Sequence, residues 1–211
     1  MRVTQLQKIT ARRYKVCLED GTSFPLYAGE IRKYQISQDR EIPEEILHEI
    51  TQEVLIKRSR IRCLNLLKSM DRTEGQLRER LSRDGYPDEI TDQAIAYAAS
   101  FHYVDDGRYA QTYVRQQAGR KSRRQIEADL MKRGIEAEEI RRAFCVLQEE
   151  DGEEDPDTSA IRALIRKRGI DPARAQREEL QKFIQYLMRK GFRYQAVREV
   201  IGSCAEGHFE D

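Results

Sequence analysis

Paired cysteines, clustered histidines and long apolar runs are all missing from this chain. Cys17, Cys63, Cys145 and Cys204 are scattered without a C-x-x-C pair. That excludes a disulfide framework and the usual spacing of a structural zinc site. His48, His102 and His208 lie far apart, and none stands at i, i+4 with another His or with a carboxylate pair suited to zinc. Each reads as an exposed or satisfied histidine. No apolar stretch approaches the ~20 residues that a membrane helix needs. Nothing resembling G-x-G-x-x-G follows a strand, and G-x-x-x-x-G-K-S/T and G-x-S-x-G are absent. Asp105-Asp106 is a carboxylate pair, but acids at a helix start ordinarily cap it and complement its dipole. These absences predict a protein that is not an enzyme, holds no cofactor or metal, and has no membrane contact. Four free thiols without a signal peptide predict a reducing cytoplasm.

An excess of charge of one sign is also lacking. The 211 residues carry 38 Lys or Arg and 37 Asp or Glu, a net charge of +1, so partner chemistry must be sought in local patches. Hydrophobic content is low at 39% and charged content high at 36%, which fits a helical array with much solvated surface.

What the chain does contain is a repeat. Leu77, Leu81, Gly85, Tyr86 and Ala94-Ile95 recur as Ile126, Leu130, Gly134, Ile135 and Ala143-Phe144. They recur again as Phe183, Leu187, Gly191, Phe192 and Val200-Ile201. An apolar pair four residues apart leads each time to Gly and then to a second apolar helix. Stacked helical units present an extended surface rather than a deep pocket, which favours a binding protein. The fold class is therefore mainly α: tandem three-helix repeats in an elongated, curved array, with a small N-terminal β-hairpin.

The boundaries follow from composition. Residues 1–42 form a β-hairpin extension, because Tyr14, Val16 and Leu18 alternate before Asp20-Gly21, then Phe24 and Leu26. Helical spacing begins at Pro43, and a long helical region, broken once, runs to about Met70. The first repeat spans 43–103, the second 104–148 and the third 158–204. Thr73 with Gln76 and Ser122 with Gln125 form capping boxes at the same offset from their glycines. The third copy lacks the box. Asp155-Pro156 opens it, and Asp171-Pro172 repeats that start signal for a helix reaching Lys190. Residues 149–157 hold seven acids and no base, which predicts a mobile acidic linker that sets the third repeat apart.

Two basic groups are candidate contacts for a partner or for DNA. Arg115, Arg120, Lys121, Arg123 and Arg124 stand together without an acid, and those around 119–124 sit at a loop and the following helix N-terminus, where they oppose the dipole. Such a concentration suggests an anionic partner, either phosphate or an acidic protein surface. Five contacts to single-stranded phosphate would give a salt slope of about −3.5. Lys57, Arg58, Arg60 and Arg62 form the second group, for which a solvated helix face is the plainer reading. Arg108, Tyr109 and Tyr113 complete the candidate set. Tyr97, Tyr103, Tyr109 and Tyr113 lie near the basic loop, where aromatics stack nucleic-acid bases or simply pack between helices. Lys132-Arg133 and Arg189-Lys190 read as C-terminal charges facing helix dipoles.

The segment F-H-Y-V-D-D-G-R-Y-A, Phe101 to Ala110, followed by S-R-R-Q-I-E-A-D-L-M-K-R-G-I, Ser122 to Ile135, resembles the central repeat of the RecX family of bacterial regulatory proteins. The resemblance covers residues 53–203, and the start of the chain resembles an N-terminal extension found in some members. It implies tandem three-helix repeats and a modulator of the RecA recombinase rather than an enzyme. It further implies a protein that lies along the groove of the RecA–DNA filament and mostly inhibits strand exchange and ATP hydrolysis; the chain itself is expected to be a monomer. Some members bind single- or double-stranded DNA directly. The family offers no catalytic motif to carry over, and the acidic run is not part of its pattern.

Overall fold

The computed structural model describes residues 1–151 and 155–206. The chain divides into two compact units, Met1–Asp105 and Asp106–Asp211.

In the first unit the β-propensity of the N-terminal segment is realised as three antiparallel strands rather than one hairpin. β1 (Val3–Lys8), β2 (Arg13–Leu18) and β3 (Ser23–Tyr27) pair in that order. Val16 stands opposite both Leu6 and Phe24. The odd spacing of Val3 and Leu6 is reconciled by a register shift between Val3 and Gln5, which returns both side chains to the inner face. Asp20 closes the β2–β3 turn. Its carboxylate accepts from the backbone and hydroxyl of Thr22, which holds its pKa below the usual carboxylate value.

A short helix absent from the sequence expectation, α1 (Ala28–Lys33), follows the sheet. It begins where Glu30 reaches back to the Tyr27 amide at 2.8 Å. α2 (Glu44–Glu49), a π-helical segment (Ile50–Ile56) and α3 (Lys57–Leu67) then run without a gap. The expected break is thus a widened turn. Ile50 and Leu55, five apart, are both buried, as i to i+5 winding allows. The Thr51 hydroxyl bonds back to the Leu47 carbonyl at 2.9 Å, competing with regular α pairing at the transition.

α4 (Glu74–Arg83) starts at the Thr73/Gln76 capping box, with both reciprocal bonds made. α5 (Asp88–Ser100) starts after Pro87. The sheet and the first repeat bury their apolar faces in one core that includes Val16, Phe24 and Leu26 with Ile50, Leu77, Leu81 and Ala94.

The second unit carries two repeats. α6 (Asp106–Gln117), α7 (Arg123–Lys132) and α8 (Ala137–Asp151) surround Ile126, Leu130, Ile140 and Phe144. α9 (Pro156–Arg168), α10 (Arg177–Arg189) and α11 (Tyr194–Glu206) surround Ile161, Phe183, Leu187 and Val197. These are separate apolar clusters. Gly85, Gly134 and Gly191, the repeat-ending glycines, have φ of +87°, +83° and +83°. The chain must turn left-handed at each of them to close the helix, and glycine does so without steric cost.

Two expectations need correction. α10 does not begin at Asp171-Pro172. Asp171 instead closes a turn, accepting from the Ala173 amide at 3.0 Å, and the helix starts after Gln176. The acidic run is also not wholly a linker. Glu149–Asp151 continue α8, and Asp155 caps α9 by accepting from the Asp157 amide at 3.0 Å. Residues 152–154 lie outside the described residues. Nor is the third repeat set apart, since it belongs to the same compact unit as the second.

Candidate partner-binding surface

The structure places the basic group at 57–62 on α3, in the first unit, and largely absorbs it there. Lys57 pairs with Glu53 one turn back. Arg58 lies over the Tyr27 ring, 4.5 Å from its centroid, and pairs with Glu30. Arg62 donates to the Asp84 carboxylate at 2.8 Å. Arg60 covers Tyr97 at 4.7 Å, with its Nε buried and unpartnered. From β2, Arg13 donates to the Asp84 carbonyl. Arg13 and Arg58 thus tie the sheet to the repeat, Arg62 ties α3 to the end of α4, and all three line one cleft with Tyr27, Ile61 and Tyr86.

The central repeat is similarly self-satisfied around its tyrosines. Tyr109 and Tyr113, one turn apart on α6, stack with centroids 6.5 Å apart and an interplanar angle of 8°. The Arg133 guanidinium covers Tyr113 at 4.3 Å and donates to the Tyr109 hydroxyl. Tyr113 donates to Asp129 at 2.8 Å, and Lys121 donates to both at 3.2 and 2.6 Å. Asp129 holds the Lys121 pKa above its ordinary value, helped by the Tyr113 hydroxyl. Lys121 in turn holds Asp129 low against partial burial. Tyr109 and Tyr113 are therefore packing and hydrogen-bonding residues of this repeat. By contrast, Tyr97, Phe101 and Tyr103 form a ladder in the first unit, and Phe101 and Tyr103 are more than half exposed.

The Arg115–Arg124 group separates once its surroundings are known. Lys121 is tied to Asp129. Arg123 pairs with Glu127 at 2.9 Å and lies over the Phe144 ring at 4.5 Å. Arg108 and Arg115 are exposed on α6, and neither is without a partner. Arg120 and Arg124 are exposed, and among the described residues no carboxylate pairs with either.

The anion expected at this helix start is partly supplied from within. The Arg123 amide, in the first turn of α7, donates to the Asp157 carboxylate at 2.7 Å. Asp157 is 1% exposed and comes from α9. Its role was hidden in the acidic run; only its place after Asp155-Pro156 at a helix start hints that it faces inward. Among the described residues no three His, Cys, Asp or Glu side chains form a metal-ion cluster, and no helix is long and apolar enough to cross a membrane.

These features define a class: tandem three-helix repeats whose functional groups lie on helix surfaces and at the turns between helices. Residues 60–97, 105–143 and 155–201 match, in order, the families described as RecX, first, second and third three-helix domain. The chain is 30% identical to the regulatory protein RecX of Streptococcus pneumoniae (strain Hungary19A-6), over 92% of this chain and 73% of that one. It is 24% identical to the regulatory protein RecX of Clostridium perfringens (strain 13 / Type A), over 93% and 92% of the two chains. A crystal structure of a regulatory protein RecX aligns with a TM-score of 0.59 at 22% identity, covering 96% of this chain and 98% of that one; this likeness shows the fold alone. The chain belongs to the RecX family.

Proposed function

We propose that this protein regulates RecA in bacterial DNA repair and recombination by binding the RecA–DNA filament in the cytoplasm and lowering ATP hydrolysis and strand exchange. The observation that carries this reading is the ordered match of all three three-helix domains to the RecX family. Surface-borne groups support it: several weak contacts along one chain sum strongly, because each later contact is effectively intramolecular. Bridging neighbouring protomers would restrict the motions that filament growth and hydrolysis require. The test is RecA ATP hydrolysis on single-stranded DNA. Inhibition at well below one molecule per protomer is expected, and no inhibition at equimolar protein overturns the reading.

Direct DNA binding is a second reading, favoured by Arg120 and Arg124, which are exposed and carry no paired carboxylate among the described residues. With two such phosphate contacts rather than five, the slope of log affinity against log salt on single-stranded DNA is expected near −1.4. Affinity without RecA that ignores salt excludes this reading.

A further inference from the structure

The second and third repeats have separate apolar cores, yet they belong to one compact unit. What passes between them is a reciprocal helix cap. Ser122, fully buried at the start of α7, accepts from the Gln125 amide of its own helix at 3.3 Å. The same hydroxyl donates at 2.8 Å to the carbonyl of Lys190, the residue that caps the C-terminus of α10. From the other side, the buried Asp157 of α9 takes the Arg123 amide. One joint therefore satisfies orphan donors of α7 and an orphan acceptor of α10. It also brings the negative end of one helix dipole to the positive end of another.

The approach is close. A Cβ placed on Gly191 would lie 3.2 Å from the Ser122 Oγ and 3.6 Å from the Arg124 stem. Arg124, which opposes the dipole of its own helix, thus lies against the C-terminal turn of α10, where a cation is favoured. Arg193 completes the joint by pairing with Asp155 and facing Asp157 at 3.4 Å, so the buried carboxylate is not left alone.

We infer that the second and third repeats form one rigid arm locked by this cap, and that Asp157 is the positioning residue that fixes the direction of the Arg120–Arg124 segment at the start of α7. A polar joint is suited to this, because hydrogen bonds are directional, whereas the hydrophobic effect is not. Removing the Asp157 carboxylate orphans a part-buried amide and frees the start of α7 to move relative to α9 and α10.

The test uses the full chain in solution without any partner. Residual dipolar couplings from 106–151 and 155–206 are expected to fit a single alignment tensor in the unmodified protein. In Asp157→Ala, two tensors are expected, and exchange of the Arg123 amide should accelerate about tenfold or more. Asp157→Asn retains an oxygen acceptor and should recover most of the protection, whereas Asp157→Leu, which fills the space without an acceptor, should not. Should Asp157→Ala fail to fold, Gly191→Ala reads the same joint from α10 by crowding Ser122, and should accelerate exchange at Arg123 and Gln125. Two tensors in the unmodified protein overturn the inference. So does Arg123 exchange in a folded Asp157→Ala within about twofold of the unmodified protein, or unchanged exchange at Arg123 and Gln125 in Gly191→Ala.

A consequence for activity rests on the RecA reading: half-inhibition of the ATPase should require more Asp157→Ala than unmodified protein. If the unmodified protein does not inhibit RecA while the couplings fit one tensor, only the RecA reading falls.

Discussion

Arg58 and Arg124 look alike in the sequence and differ in the fold. Arg58 is held between a tyrosine ring, a carboxylate and the Pro25 carbonyl, whereas Arg124 carries no carboxylate partner among the described residues. Arg58→Ala should therefore lower stability by about 1–3 kcal/mol in urea unfolding, because it strands a partly buried Glu30. Arg120→Ala and Arg124→Ala should change stability by less than about 0.5 kcal/mol each and instead weaken partner binding. The Lys121–Asp129 pair behaves differently again. Asp129 titrates below its ordinary value, so its contribution is present at neutral pH and lost as pH falls through that lowered pKa. Lys121 titrates above its ordinary value, so the corresponding loss on the alkaline side comes only as pH rises through that raised pKa. Both side chains are more than a third exposed, so solvent screening keeps the pair under about 1 kcal/mol. Asp129→Asn should remove that small amount at pH 7 and flatten the acid limb of a stability profile below about pH 4. Cys63 is buried, and burial pushes its thiol up to about 11, while Cys145 is exposed. A thiol reagent at about pH 8 should label Cys145 in the folded protein and Cys63 only after unfolding.

At the scale of elements, local chemistry decided most helix starts. Thr73/Gln76 and Ser122/Gln125 were legible as caps because each hydroxyl accepts from the amide three residues on in its own helix, although the reciprocal box is completed at Thr73/Gln76 and not at Ser122/Gln125. Thr73→Ala should cost about 1–2 kcal/mol, seen as a lower urea midpoint, since the hydroxyl is fully buried. Asp171-Pro172 misled for the same local reason, because an Asx turn and an N-cap use the same side-chain acceptor. The first strand and the π-helical segment were not legible. β1 depends on a register shift against β2, and the widened turn depends on which residues the rest of the core must receive.

For the whole molecule, the sheet is part of the first repeat's core rather than an appendage. Phe24→Ala, at a position 2% exposed, should therefore destabilise the first unit by about 3–5 kcal/mol, measurable in urea unfolding. The three-fold spacing of apolar pairs before glycine determined, from sequence alone, that this is a helical repeat protein. Helix periodicity and the left-handed turn are local properties that a chain writes in its own order of residues. Whether a base is free or tied depends on acids far away in sequence: Glu30 for Arg58, Asp84 for Arg62, and Asp157 for the amide of Arg123. Charge interactions act over a few ångströms of space and ignore sequence separation. The tertiary structure therefore decides that, of the five bases at 115–124, Arg120 and Arg124 are exposed with no paired carboxylate among the described residues, and that the acidic run becomes a helix end and a buried cap.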